Sequence, residues 1–290
     1  MMDANSFWYV YTTNGSNGFL LDLIRRPDSS VARLVLYSKD APPTVLRQSR
    51  DRSALSASNG SLQVKLDDLE LTESGCRGAL GEIGFDFDYT ISPRNIGFVP
   101  AWLHRIASYV PSFSSHYGRL SRGTCHQAAY ENIPLVYSTY GVGNIAKSKW
   151  YLISASQFEG TDLAFEISGA RLYGIWGPSA YVYFRGVEYK LNNALFSLFR
   201  FRSRRTGQTT DGERVFEVDV RTRTLSMKVR AAAPNDDFAM LEQEGDTQIH
   251  TTLFGNCDVA LSIRGHGREP EEHRFSARRT CLLEVKHDPE

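Results

Sequence analysis

The chain has 290 residues, enough for one large domain or two modest ones, and its 33 Lys and Arg balance 33 Asp and Glu to a formal net charge of zero. That balance excludes a global field drawing the protein to nucleic acid or to an anionic membrane surface. Four widely spaced cysteines, Cys76, Cys125, Cys257 and Cys281, make no Cys-x-x-Cys pair, which disfavours a metal knuckle or dithiol redox site and implies free thiols in a reducing compartment.

The first residues show no basic segment followed by an apolar one, and no apolar run approaches the ~20 residues that cross a bilayer. A soluble, cytoplasmic protein with no integral membrane segment is expected. Strand signals begin at once: residues 7–11 (FWYVY) lead through a Thr, Asn and Gly turn at 12–18 into a returning strand at 19–24. Another strand is expected at 31–37, ended by Ala41-Pro42-Pro43, and the polar stretch 47–59 reads as a loop or short helix. Strands follow at 62–66 and 79–91. In the latter Phe85, Phe87, Tyr89 and Ile91 alternate with Asp86, Asp88 and Thr90, so two carboxylates share one face. The plain reading is a solvated face. If that face lined a cavity instead, like-charge repulsion and loss of water would keep one carboxyl protonated at neutral pH.

Residues 100–111 set Trp102, Leu103, Ile106, Tyr109 and Val110 at helical spacing between two prolines, which predicts one short helix. Residues 112–132, with His116, Tyr117, Cys125 and His126, read as a long loop. A composition shift at Ile133-Pro134 predicts a boundary between domains 1–133 and 134–290. Past the broken entry at Gly141 and Gly143, Trp150-Tyr151 opens an apolar run, a turn at 157–162 follows, and Leu163, Phe165 and Ile167 alternate with Ala164, Glu166 and Ser168. This is a β-hairpin pattern. Further strands are predicted at 181–184, 188–191, 195–202, 214–224, 225–230, 247–254, 258–263 and 280–286, with a turn or bulge where the apolar parity slips at 220–225 and an exposed loop at 265–274. No alternation of strands and helices appears, so the fold class is all-β.

Phosphate-loop, zinc-helix and nucleophile-elbow signatures are absent. Gly141-Val142-Gly143 precedes no helix, which argues against a dinucleotide site. The seven histidines are scattered, so no metal is expected. Arg200, Arg202, Arg204 and Arg205 read as a solvated turn rather than a nucleic-acid platform.

Taken in order, Gly-x-Gly at 141–143, Lys149-Trp150 with its apolar strand, Phe158-Glu159-Gly160 and the strand after it resemble the centre of tocopherol cyclases. The segment from Tyr183 to Tyr189 and that from Asn256 to Ile263 extend the likeness over roughly the C-terminal half. The wider superfamily includes carotenoid hydratase-like proteins and fungal Diels–Alderases. The resemblance implies two tandem lipocalin-like antiparallel β-barrels or sandwiches and a cofactor-independent cyclase acting on a hydrophobic isoprenoid or polyketide intermediate, without metal or redox cofactor.

In tocopherol cyclases a prenyl double bond is protonated and captured by a phenol oxygen. That chemistry needs a proton donor in a dry pocket and aromatic faces that stabilise a developing cation. The candidates are Glu166, Asp88 and Tyr140 as catalytic groups, with Trp8, Tyr137, Trp150, Phe158, Trp176 and Tyr181 against the substrate. Where the family carries a charged residue or histidine before its turn, this chain has Ser138, Thr139 and Tyr140, a departure better suited to a pericyclic cyclisation guided by shape and hydrogen bonds. A non-catalytic lipid or pigment carrier and a hydratase of an isoprenoid double bond are the alternatives.

Overall fold

A computed structural model describes residues 5–57, 62–91, 96–97, 112–126, 128–142, 149–172, 175–191, 201–210, 212–222, 224–244, 247–264 and 269–287. The chain divides into two units, Met1–Lys147 and Ser148–Glu290. The first contains β1 (Asn5–Thr13), β2 (Asn17–Arg25), β3 (Ser29–Ser38), β4 (Ala41–Asp51), β5 (Leu55–Ala57), β6 (Val64–Leu66), β7 (Leu69–Leu71), β8 (Gly75–Leu80), β9 (Ile83–Ile91), β10 (Ile96–Gly97), β11 (Ser112–Cys125) and β12 (Ala128–Val142). The second contains β13 (Trp150–Ala155), β14 (Ala164–Leu172), β15 (Ile175–Phe184), β16 (Val187–Leu191), β17 (Phe201–Thr210), β18 (Glu213–Arg221), β19 (Leu225–Pro234), β20 (Ala239–Glu244), β21 (Thr247–Ile263) and β22 (Glu271–His287). Among the described residues the only helical pieces are 3₁₀ turns at Arg52–Ala54 and Asn235–Asp237. The expected helix at 100–111 lies outside the described residues.

Each unit is one barrel-like antiparallel sheet. The first runs in the order β4-β3-β2-β1-β12-β11-β9-β8-β7-β6-β5, with β10 beside β11; the second runs β16-β15-β14-β13-β22-β21-β19-β18-β17, with β20 beside β21. The period-two pattern supplies the inner faces. In the first unit Val10, Phe19, Leu21, Leu34, Phe85, Phe87 and Leu135 fill the core, and in the second Ile153, Phe165, Ile167, Val182, Phe216, Val229 and Leu283 do so. The interior of each sheet is thus occupied by its own side chains.

Several expectations need correction. The expected boundary at Ile133-Pro134 falls inside β12, which pairs with β1 and β11; the division comes after Lys147. Pro134 sits in the ladder opposite Arg119, and its carbonyl accepts the Thr12 hydroxyl at 2.7 Å. The loop expected at 112–132 is β11 and the start of β12. Few apolar residues mark it: among its described side chains Leu120, Cys125 and Tyr130 join the core and Ala128 packs against it, while cross-strand pairing to β9 and β12 satisfies its backbone. Pro42 and Pro43 do not end the strand region but open β4, an edge strand that tolerates a missing donor; most of the stretch predicted as loop or helix at 47–59 continues β4 and adds β5. The strand expected at 79–91 breaks at Gly81, whose φ of 61° belongs to a turn. Strands expected at 247–254 and 258–263 are one strand, β21, with register shifts between Thr252 and Cys257, and the loop expected at 265–274 overlaps the start of β22.

Candidate functional site

The central hairpin, β13 and β14, is where the sequence and the fold agree best. Tyr151, Ile153 and Ala155 of β13 and Phe165 and Ile167 of β14 turn into the core. Trp150, Leu152 and Ser154 therefore lie on the opposite face, as does Glu166. In register, Glu166 stands opposite Ser154 on one side and Tyr181 of β15 on the other, and Ser154 stands opposite Leu282 of β22. Along the same face Leu152 is opposite Glu284, and Trp150 opposite Lys286.

An outward face would ordinarily be wet. Here Glu166 is 0% exposed, Ser154 1%, Tyr181 2% and Lys286 2%. Both faces of this part of the sheet are withdrawn from water, and the second carries a carboxyl, an ammonium, a hydroxyl, a phenol and the half-buried indole of Trp150. Charged residues are rarely this buried unless they are held for a purpose or paired. The Tyr181 hydroxyl donates to Glu188 Oε1 at 3.2 Å, which anchors the ring. Such a face can do acid–base work at Glu166 and can stabilise developing charge with the Lys286 ammonium or the aromatic faces.

The other expected site residues are distributed differently. Asp88 turns away from the core formed by Phe85, Phe87 and Tyr89, with Arg122 Nε at 3.1 Å and Arg77 Nη2 at 2.6 Å. Its hydrogen bonds to Arg122, then Arg77, hold the carboxyl below its ordinary range, so Asp88 is an ionised surface group and not the protonated acid of a dry cavity. Trp8 packs against the first core with the Arg25 guanidinium 5.6 Å above its ring. Tyr137 is fully buried in that core and its hydroxyl donates to the Leu62 carbonyl. Phe158 is a core residue of the second unit, its ring 6.1 Å from Phe165 and 6.2 Å from Phe275. Tyr137 and Phe158 are thus packed inside the cores of their own units, and Trp8 is half-buried against the first. Tyr140 is placed by backbone register between Phe7 and Phe113 in β12's ladder, and Trp176 opposite Arg171 in the β14–β15 ladder.

The structure thus pairs Glu166 with Tyr181 and sets Trp150 on the same face of the second unit, four residues along β13 from the Ser154 opposite Glu166, while Asp88, Trp8, Tyr137 and Tyr140 belong to the first. Ser154 and Lys286 were not legible as site residues. Their only signal was the parity they share with Leu152 and Leu282, and parity does not reveal whether an outer face is covered. Among the described residues no cluster of His, Cys, Asp and Glu is placed to hold a metal ion.

No protein-family model matches the chain, and no curated protein matches it. Solved structures do. CghA crystallised with Sch210972 aligns with a TM-score of 0.56 at 11% identity over 99% of this chain and 89% of its own. CghA alone gives 0.58 at 12% over the same shares, and kievitone hydratase from Nectria haematococca gives 0.53 at 11% over 97% and 88%. At this identity the likeness establishes the fold, a pair of lipocalin-like β-barrel sheets along the whole chain, and nothing finer.

Proposed function

We propose that the protein is a cofactor-independent cyclase of a hydrophobic isoprenoid or polyketide intermediate, with Glu166 as its acid–base group and Trp150 and Tyr181 as its aromatic wall. The observation that carries this reading is the complete burial of the Glu166 carboxyl on the face it shares with those two rings. A carboxyl withdrawn from water is suited to giving and taking a proton, and the aromatic faces attract positive charge developing on a polyene. Two neighbours by fold support small-molecule chemistry in this architecture: one is named a hydratase and another was crystallised with a small molecule.

The hydratase neighbour favours a second reading, in which Glu166 protonates a double bond and water adds to it. One experiment separates the two. Purified protein is incubated with prenylated phenols and conjugated polyenes and the products are weighed by mass spectrometry. An isomer of unchanged mass identifies the cyclase, and a gain of one water identifies the hydratase. Glu166→Gln, nearly isosteric, should lower either turnover about 10²–10⁴-fold with the fold intact by circular dichroism. Ligands returned unaltered by wild type would leave a carrier, and full turnover by the variant would defeat the assignment of Glu166.

A further inference from the structure

A separate cleft of about 370 Å³ opens at the turn end of β15, within the second unit. Its walls include Thr161, Asp162, Phe184, Arg185, His273 and Phe275. Phe184 has the core-facing parity of Val182, opposite to that of Tyr181, so this cleft belongs to the other face of the sheet from Glu166. We propose that it binds a small organic carboxylate with a flat apolar body, independently of the chemistry assigned to Glu166.

The volume lies in the range of small-ligand pockets, and the mouths of barrels are a preferred place for them. The floor is aromatic: the rings of Phe184 and Phe275 are 5.6 Å apart, and His273 lies 5.0 Å from Phe184 and stacks on Phe275 at 5.9 Å. Above the floor two nitrogens converge on a single oxygen. Arg185 Nη1 is 2.7 Å and His273 Nε2 3.0 Å from Oε1 of Glu271, and Arg185 lies 5.0 Å over the Phe184 ring. The molecule's own carboxylate thus marks the seat of a ligand carboxylate. Arg185 holds the Glu271 carboxyl below its ordinary range, as a guanidinium organised for a carboxylate should.

The seat is exchangeable, because Glu271 is 57% exposed and Arg185 60%, and an exposed ion pair holds its partner weakly. The turn beneath it is fixed: Asp162 accepts the Arg185 and Gly186 amides at 2.8 and 3.2 Å. Binding therefore requires Glu271 to swing into water while Arg185 stays. Calorimetric titration of the full chain with 1-naphthoate, and with neutral 1-naphthamide, tests this. Glu271→Ala should bind naphthoate at least tenfold more tightly than wild type, Arg185→Met added to it should abolish binding, and naphthamide should gain nothing. Both side chains are exposed, so the variants retain the fold. No gain from Glu271→Ala, binding that survives Arg185→Met, or an equal gain for naphthamide would each overturn the proposal.

Discussion

Replacing Arg33 by methionine tests a buried ion pair of the first unit. Asp22 and Arg33 face each other directly across β2 and β3, with side chains only 8% and 7% exposed. Arg33 donates to Asp22 Oδ2 through Nε at 2.8 Å and through Nη2. Around them both faces of the strands are buried, from Gly18 to Ile24 and from Ser30 to Val35. Taking two charges out of water costs about as much as their attraction returns, whereas removing one partner strands the other and costs about 3–5 kcal/mol. Arg33→Met and Asp22→Leu should each lose that amount. The double variant should lie within about 2 kcal/mol of wild type or above it, since neither charge remains. Urea midpoints at unchanged slope measure this, and amide exchange in β2 and β3 reads it locally without requiring the two units to unfold together. Additive losses in the double variant, or single variants within 1 kcal/mol of wild type, would refute the reasoning.

A Cβ at Gly169 would stand 2.4 Å from Cε1 and 2.7 Å from Cζ of the buried Tyr151 ring, so Gly169→Ala should cost about 1–3 kcal/mol, seen as a lower melting temperature. Alanine at Gly160, where nothing lies within 4 Å but φ is +68°, separates backbone strain from this collision. The folded Asp88 carboxyl titrates below its ordinary 3.8, so its contribution is fully present above that value and is lost as pH falls through the lower one. The stability difference between wild type and Asp88→Asn should therefore be flat above about pH 5 and shrink toward pH 2. All four thiols are buried; burial pushes Cys125 up to about 12 and Cys76 well above the ordinary thiol, and contact with the Cys281 thiol, then burial, raises Cys257. Ellman's reagent should find no fast thiol in the native protein and four after denaturation; rapid native labelling would contradict the packing.

The hairpin of β13 and β14 could be read from the chain because alternation, a Trp-Tyr opening and a Gly turn all coincide there, and Gly160 does take the positive φ of a turn. The parity slip near 220–225 was equally legible: it is the turn between β18 and β19, where Thr222 Oγ1 receives the Leu225 amide at 2.9 Å. β11 escaped notice because its strand character comes from its neighbours, which supply the hydrogen bonds that its own polar residues do not advertise. The same limit applies to the site. Period two assigns Glu166, Ser154 and Lys286 to the face opposite the core, and Asp88 to the equivalent face of its own strand. Only tertiary structure decides that Glu166 is dry while Asp88 is solvated between two arginines. Side-chain alternation is local geometry that the chain encodes residue by residue, whereas the water around a face depends on which distant segments come to lie over it.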